Sequence, residues 1–423
     1  MSKRITRRTL ISSGIGLAAL STLTWLKPYD IGENHAPYFK TLSNTLDQEK
    51  IARPTLIVDR ERLRQNIATL KEHIYPDFHY RIVAKSLPSV AMLKWISNEA
   101  KTKRFMLFDE RFAAQVANEI DAADILFGKP LPAKAARNFY QHVNDSNFDS
   151  SQQLQWLIDT PERLTEYADL ATALDIDLRI NIELDVGLHR GGVNNDQTLV
   201  NMLQQIDASP KLSFSGFMGY EPHVVKIPGD AYGHLAEAMA IYRQRIAAAE
   251  QHFGHALPSS ITLNGAGSPS YQLHNRDNSP CNELSTGSCL VKPLDYDLPS
   301  LADHQAASFI ATPVLKQMTR TELPGVAALG DVMAWWNPNR EQAYFTYGGY
   351  WKAQPVSPKG LSVNPVFGRS TNQEMLNASH SVDLKPNDWV FLRPTQSEFV
   401  FLQFGDIAVY DQGKLDTWWP TFA

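Results

Sequence analysis

A lysine closes the short β-branched run Arg81-Ile82-Val83-Ala84-Lys85-Ser86. A lysine at a strand end can form an imine with a carbonyl compound if a partly dry surrounding favours its neutral amine. Alone, such a residue reads equally as a solvated loop lysine, so the assignment depends on its company. Three further clusters supply it. Gly265-Ala266-Gly267-Ser268-Pro269-Ser270 follows another strand-like run, where Gly265 and Gly267 let the backbone approach an anion and Ser268 adds a hydroxyl. It is not a dinucleotide fingerprint, because Ser270 stands where the last glycine would be. Asp185-Val186-Gly187-Leu188-His189-Arg190-Gly191-Gly192-Val193 holds Arg190 among glycines, and its planar fork suits a phenolate or a carboxylate. Gly219-Tyr220-Glu221-Pro222-His223 offers a phenol, a carboxylate and an imidazole, with His223 the natural proton carrier near neutral pH.

Each cluster follows a run that reads as a strand. Such runs fall at 80–85, 104–109, 124–129, 155–159, 177–184, 213–220, 260–264 and 283–290, and segments of helical period lie between them, among them 89–100, 110–120, 161–174 and 231–253. Eight strands with interposed helices predict an α/β fold, a (β/α)8 TIM-type barrel, with all four clusters on the C-terminal face where such barrels build active sites. The phosphate site of these barrels usually lies after strands seven and eight, which is where the 265–270 loop falls. After residue 303 β-branched and aromatic runs with turn signals predict a second, mostly β domain. The expected division is therefore a leader at 1–30, a polar linker or arm at 31–50, a barrel at 51–302 and a C-terminal β domain at 303–423. The strand at 55–59 could join the β domain.

The 423 residues exceed what one core usually organises, and 43% hydrophobic content suffices for two. A net charge of -5 without a basic stripe argues against nucleic acid as a partner. Cys281 and Cys289 are too few for a disulfide framework and read as buried free thiols. Near the start, Thr6-Arg7-Arg8-Thr9-Leu10-Ile11 precedes a mild apolar run reaching Leu26, the layout of a twin-arginine signal or an uncleaved inner-membrane anchor. A periplasmic location is expected, and membrane association would run through this segment.

Together, the strand-one lysine, Asp-x-Gly-x-x-Arg-x-Gly, Gly-x-x-Gly-Tyr-Glu and Gly-x-Gly-Ser-Pro resemble the alanine-racemase-like, fold-type III enzymes of pyridoxal 5'-phosphate (PLP), in particular the D-threonine aldolase and D-serine dehydratase branch. The resemblance runs from about Arg53 to the C-terminus and includes Val409-Tyr410 and Trp418-Trp419-Pro420. It implies that Lys85 is the Schiff-base lysine, that the 265–270 loop, with Gly265, Gly267 and Ser268, cradles the cofactor phosphate, that Arg190 bonds the ring oxygen or its neighbourhood, and that Tyr220 lies close to the ring. It also implies an amino-acid substrate and a lyase acting on D-3-hydroxy amino acids. His223 is the candidate base for retro-aldol cleavage, and Lys85 for α-proton removal in a dehydration. One departure is plain. The branch carries Pro-x-His-x-Cys as metal ligands, whereas this chain has Pro394-Thr395-Gln396-Ser397-Glu398. A thiolate-imidazole zinc site is therefore not expected, though two oxygen ligands could suit a harder ion. Gln396 and Glu398 would instead contact substrate or brace the domain interface. Two alternatives stay open. A racemase would need a second acid/base, for which Tyr344, Tyr347 or Tyr350 could serve across a homodimer; a non-catalytic PLP-binding protein is the other.

Overall fold

The computed structural model describes residues 27–144, 147–322 and 324–422. The arginine pair and the apolar run up to Leu26 lie outside them. Among the described residues no helix is long and apolar enough to cross a membrane. Contacts divide the chain into two compact units, one of Leu56–Ser308 with Pro394–Ala423 and one of the residues up to Thr55 with Phe309–Arg393.

In the first unit β1 (Thr55–Asp59) precedes eight strands that close into a parallel barrel: β2 (His79–Val83), β3 (Arg104–Leu107), β4 (Asp124–Phe127), β5 (Leu154–Ile158), β6 (Leu178–Leu184), β7 (Leu212–Gly219), β8 (Thr262–Gly265) and β9 (Glu283–Thr286). The expected (β/α)8 barrel is thus the observed one. The last predicted run is shorter than expected, because Gly287 ends β9 and Ser288–Val291 turns helical. Several connecting helices begin at a side-chain cap, as chain turning from strand to helix requires. Ser89 caps Val90–Ala100, Asp109 caps Glu110–Glu119, Thr160 caps Pro161–Leu174 and Asp230 caps Ala231–Phe253.

The barrel interior is polar at its lower layers. Arg81 on β2 is fully buried and donates to both carboxylate oxygens of Glu283 on β9, at 2.5 and 3.0 Å, and to the backbone oxygens of Phe105 and Asp124. Glu283 also accepts from Arg104 and from the Asn264 amide. Burial alone would push the Glu283 carboxyl up, but Arg81 and Arg104 hold it below the usual carboxylate range. Also inside the barrel, Gln155 donates to Thr262 and accepts from Asn181.

The strand at 55–59 forms as expected and pairs in parallel with β16 (Asp406–Asp411), which pairs antiparallel with β17 (Lys414–Pro420). In the second unit β10 (Ser308–Met318) pairs antiparallel with β11 (Gln342–Tyr347) and β15 (Trp389–Pro394), while β14 (Gln373–Ala378) joins β11 to the short β13 (Ser362–Val363) and β12 (Ala353–Ser357) joins β15. Two helices depart from expectation. Residues 31–50, read as a polar linker, contain the helix Pro37–Gln48, which buries Leu42 and Leu46. Phe39 of this helix meets Phe309 and Phe391, and its Asp47 accepts from the Trp389 indole at 2.8 Å. The β region also contains the helix Ala327–Trp336. Both cysteines are free and buried, as expected.

Removing one partner of a buried ion pair leaves the other charge uncompensated, so Glu283→Gln should lower the free energy of unfolding by ~3 kcal/mol or more in urea titration. A loss under ~1 kcal/mol would show that the pair does not hold the barrel closed.

Candidate active site

Val83 ends β2, and the next three residues, Ala84–Ser86, form a single 3-10 turn that lifts Lys85 onto the C-terminal mouth. The Lys85 amine lies 3.0 Å from Glu398 Oε1 and 4.7 Å from the centre of the Phe108 ring, and its side chain keeps 40% exposure. The amine is therefore wetter than the sequence suggests and carries an ion-pair partner from the end of the chain. Glu398 opens the short helix Glu398–Leu402, and the Asp295 N–H holds the loop before it by donating to the Thr395 carbonyl. Gln396 is exposed.

Lys85 borders a pocket of about 520 Å³ when its open mouth is included. The ends of β8 and β9 border the same pocket. Ser268 Oγ lies 2.6 Å from Thr286 Oγ1 and accepts from the N–H groups of Gly287 and Cys289, while Ser86 and Ser288 share a hydrogen bond of 2.7 Å. Gly267 and Ser268 line the pocket, whereas Gly265 lies in β8, where a Cβ would come 2.6 Å from the Cys281 sulfur. A Cβ on Gly267 would meet the Tyr220 ring at 2.5 Å, so the absence of a side chain lets that ring lie against the loop. Arg190 also borders the pocket, its guanidinium 5.1 Å from the Tyr220 ring centre. Burial pushes the Tyr220 phenol well above its ordinary range, so it stays neutral across physiological pH.

Glu221, next in sequence, is fully buried and does not face the pocket. It accepts from Ser270 Oγ at 2.6 Å and from the Ala266 N–H, and pairs with His274 Nε2 at 3.3 Å. Against the cost of burial, these partners hold its carboxyl below the usual range. Its task is to brace the 265–270 loop from behind, where Ala266 takes a left-handed φ of 66°.

The structure brings Lys85, Arg190, Tyr220, Gly267 and Ser268 to one pocket. His223 is not among the residues that border it. The 3-10 turn Pro222–Val225 aims its ring at Gly187, whose Cβ, if present, would lie 3.2 Å from His223 Nε2. Burial depresses the pKa of His223, partly opposed by Glu221, and its buried Nδ1 has no hydrogen-bond partner among the described residues. Of the three tyrosines considered for a second acid/base, Tyr344 is fully buried with its hydroxyl donating to the Val382 carbonyl at 2.7 Å, while Tyr347 and Tyr350 are exposed. Among the described residues no group of three or more His, Cys, Asp or Glu could hold a metal ion.

Sequence reasoning missed Phe108, Tyr296, Thr286 and Ser288 as pocket residues. It also missed Gly128, where a Cβ would come 2.4 Å from the Phe108 ring; that glycine lets the ring fold across the mouth. Nor did it mark Glu183, whose carboxyl is pushed up to about 7 by burial and by Asp159, with Arg190 opposing the shift.

The pocket's donor set, an amine together with serine and threonine hydroxyls beside glycines, fits a phosphate-bearing aldehyde. Such a mouth on a closed parallel barrel marks the fold-type III class of PLP-dependent enzymes. The sequence profile of the alanine racemase N-terminal domain matches residues 58–294, and the chain belongs to that family. No curated protein sequence matches the chain. Among solved structures, D-threonine aldolase from Filomicrobium marinum matches with a TM-score of 0.68 at 17% identity, covering 87% of this chain and 94% of that one. D-threo-3-hydroxyaspartate dehydratase from Delftia sp. HT23 gives 0.67 at 13%, over 87% and 97%. Alanine racemase from Bacillus anthracis gives 0.64 at 13%, over 87% and 97%. At these identities the likeness is one of fold.

The Glu183 carboxyl, ordinarily near 4.5, is held up to about 7 in the folded chain. Between those values the folded state binds more protons than the unfolded one, so this group's contribution to stability is present below the lower value and is lost as pH rises through the higher. Glu183→Gln should therefore raise the melting temperature at pH 8 and leave it nearly unchanged at pH 4. An equal shift at both pH values would contradict this.

Proposed function

We propose that the chain is a PLP-dependent lyase acting on D-3-hydroxy amino acids, with Lys85 as the residue that holds the cofactor. The observation that carries this reading is the Lys85 amine bordering the same pocket as Ser268, Thr286 and Ser288. When bound, PLP supplies an electron sink for a bond broken at an amino acid's α-carbon. The Gly267–Ser268 loop and the hydroxyls at the ends of β8 and β9 would hold its phosphate, Tyr220 would support the ring, and Arg190 would steady both Tyr220 and an anionic group near it.

Glu398 is the proton acceptor in this reading. Its Oε1, 3.0 Å from the Lys85 amine, is within hydrogen-bond reach of a group that replaces that amine, such as a substrate hydroxyl. It stands at one of the two positions where the resembling branch has metal ligands, so a carboxylate would accept the proton of the hydroxyl that a metal holds in that branch. The lyase reading and the D configuration draw support from the names of two structural neighbours, D-threonine aldolase and D-threo-3-hydroxyaspartate dehydratase. We also propose that the Arg7-Arg8 segment exports the folded protein to the periplasm; lysine at both positions should retain it in the cytoplasm, and unchanged fractionation would refute export by this route.

Borohydride reduction of PLP-treated protein should leave a pyridoxyl group on the peptide carrying Lys85, and Lys85→Ala should abolish it; label on another lysine would refute the site. Against D-3-hydroxy amino acids, Glu398→Gln should lower kcat by roughly 100-fold or more with little change in cofactor binding, a typical size for a lost general base. His223→Gln should cost less than about tenfold, as befits a residue outside the pocket. The reverse order would return the role to His223.

A further inference from the structure

A second recess opens beside Lys85 and shares Phe108 with the cofactor pocket. It measures about 510 Å³ with its open mouth, and Lys85 and Phe108 belong to both cavities. Its walls are almost wholly apolar: Leu107, Phe108, Phe112, Phe399, Leu402 and Phe422. The floor is firmly held, because Phe112 and Phe422 stack with ring centres 4.4 Å apart and the Phe422 N–H donates to the Pro88 carbonyl. Phe399 stands at the rim, 72% exposed.

The charged groups that border the recess are already committed. Asp109 accepts the N–H groups of Arg111 and Phe112 as the cap of its helix, and Glu398 pairs with Lys85. Among the described residues that border the recess, Lys85 is the only cation, and Glu398 already pairs with it. The recess therefore offers an acidic side chain no uncommitted cation. A short side chain would leave the aromatic walls wet.

We propose that this recess receives the substrate's side chain, and that this side chain is large and apolar, an aromatic ring or a branched alkyl group. The inference rests on the cofactor reading of Lys85, since Lys85 and Phe108 border both the cofactor pocket and the recess. Its β-carbon, and any hydroxyl there, then lies nearest Glu398, while the rest of the side chain leaves water for the aromatic walls. Removing a phenyl or isobutyl group from water into such walls favours binding by roughly 30- to 100-fold over a methyl group.

The test uses the PLP-loaded protein, titrated with both enantiomers of alanine, serine, aspartate, leucine, phenylalanine and 3-phenylserine. Apparent Kd is read from the change in cofactor absorption and independently by calorimetry. Phenylalanine, 3-phenylserine and leucine should bind at least 30-fold more tightly than alanine, serine or aspartate. Phe399→Asp, at an exposed rim position, should reduce that preference to within about threefold, and Leu402→Trp should fill the recess and do the same. Retained borohydride labelling of Lys85 in both variants shows that the fold is intact. Label at Lys85 with no preference for large apolar side chains, or a preference that survives both substitutions, overturns this inference alone. Absence of label at Lys85 in the wild-type protein overturns the cofactor reading and this inference with it.

Discussion

The buried contact between Arg81 and Glu283 joins the first barrel strand to the last, and the site depends on that closure. Two charges removed from water carry a desolvation cost that their mutual attraction offsets only when the remaining donors and acceptors are satisfied. Here they are. Arg81 reaches both oxygens of Glu283 and two backbone carbonyls on β3 and β4, and Glu283 also takes Arg104 and Asn264. The network spans β2, β3, β4, β8 and β9, so it sets the register of the strand that leads into Lys85 against the two strands whose ends carry the hydroxyls. A slip of one residue in β2 would turn Arg81 out of the barrel and move Lys85 with it.

The mouth repeats the same logic with one charge fewer. Glu221 is buried behind the glycine loop, and the Ser270 hydroxyl, the Ala266 N–H and His274 satisfy it. It keeps the loop in a backbone shape that Ala266 would not adopt freely. Ser268 is then held by the N–H groups of Gly287 and Cys289. The loop around Ser268 is therefore organised before any ligand arrives, whereas Lys85 and Glu398, each 40% exposed, retain freedom to exchange partners. That division suits a pocket that grips one group permanently and another in passing.

Much of this was legible in the sequence because strand ends are. Lys85, Arg190, Tyr220, Gly267 and Ser268 each follow a period-two run, and a closed barrel sends every such end to the same face. Adjacency along the chain was a poorer guide. His223 lies three residues after Tyr220, yet a single 3-10 turn carries its ring to Gly187. Gly265 was grouped with Gly267, but it belongs to the strand and faces Cys281. Phe108 and Gly128 were invisible because their relation is between neighbouring strands, not along one. Glu398 could be marked by position, but its pairing with Lys85 joins residues far apart in sequence. The helices Pro37–Gln48 and Ala327–Trp336 were hidden by composition, the first too polar to suggest a buried face and the second too apolar to show one.

The most direct measurement is a crystal structure of the protein grown with PLP. Electron density should run without a break from the Lys85 amine to a ring beside Tyr220, with the phosphate against Gly267, Ser268 and the turn at Gly287–Ser288. Density joined to another lysine, or a phosphate bound away from the 265–270 loop, would contradict the assignment of this barrel mouth.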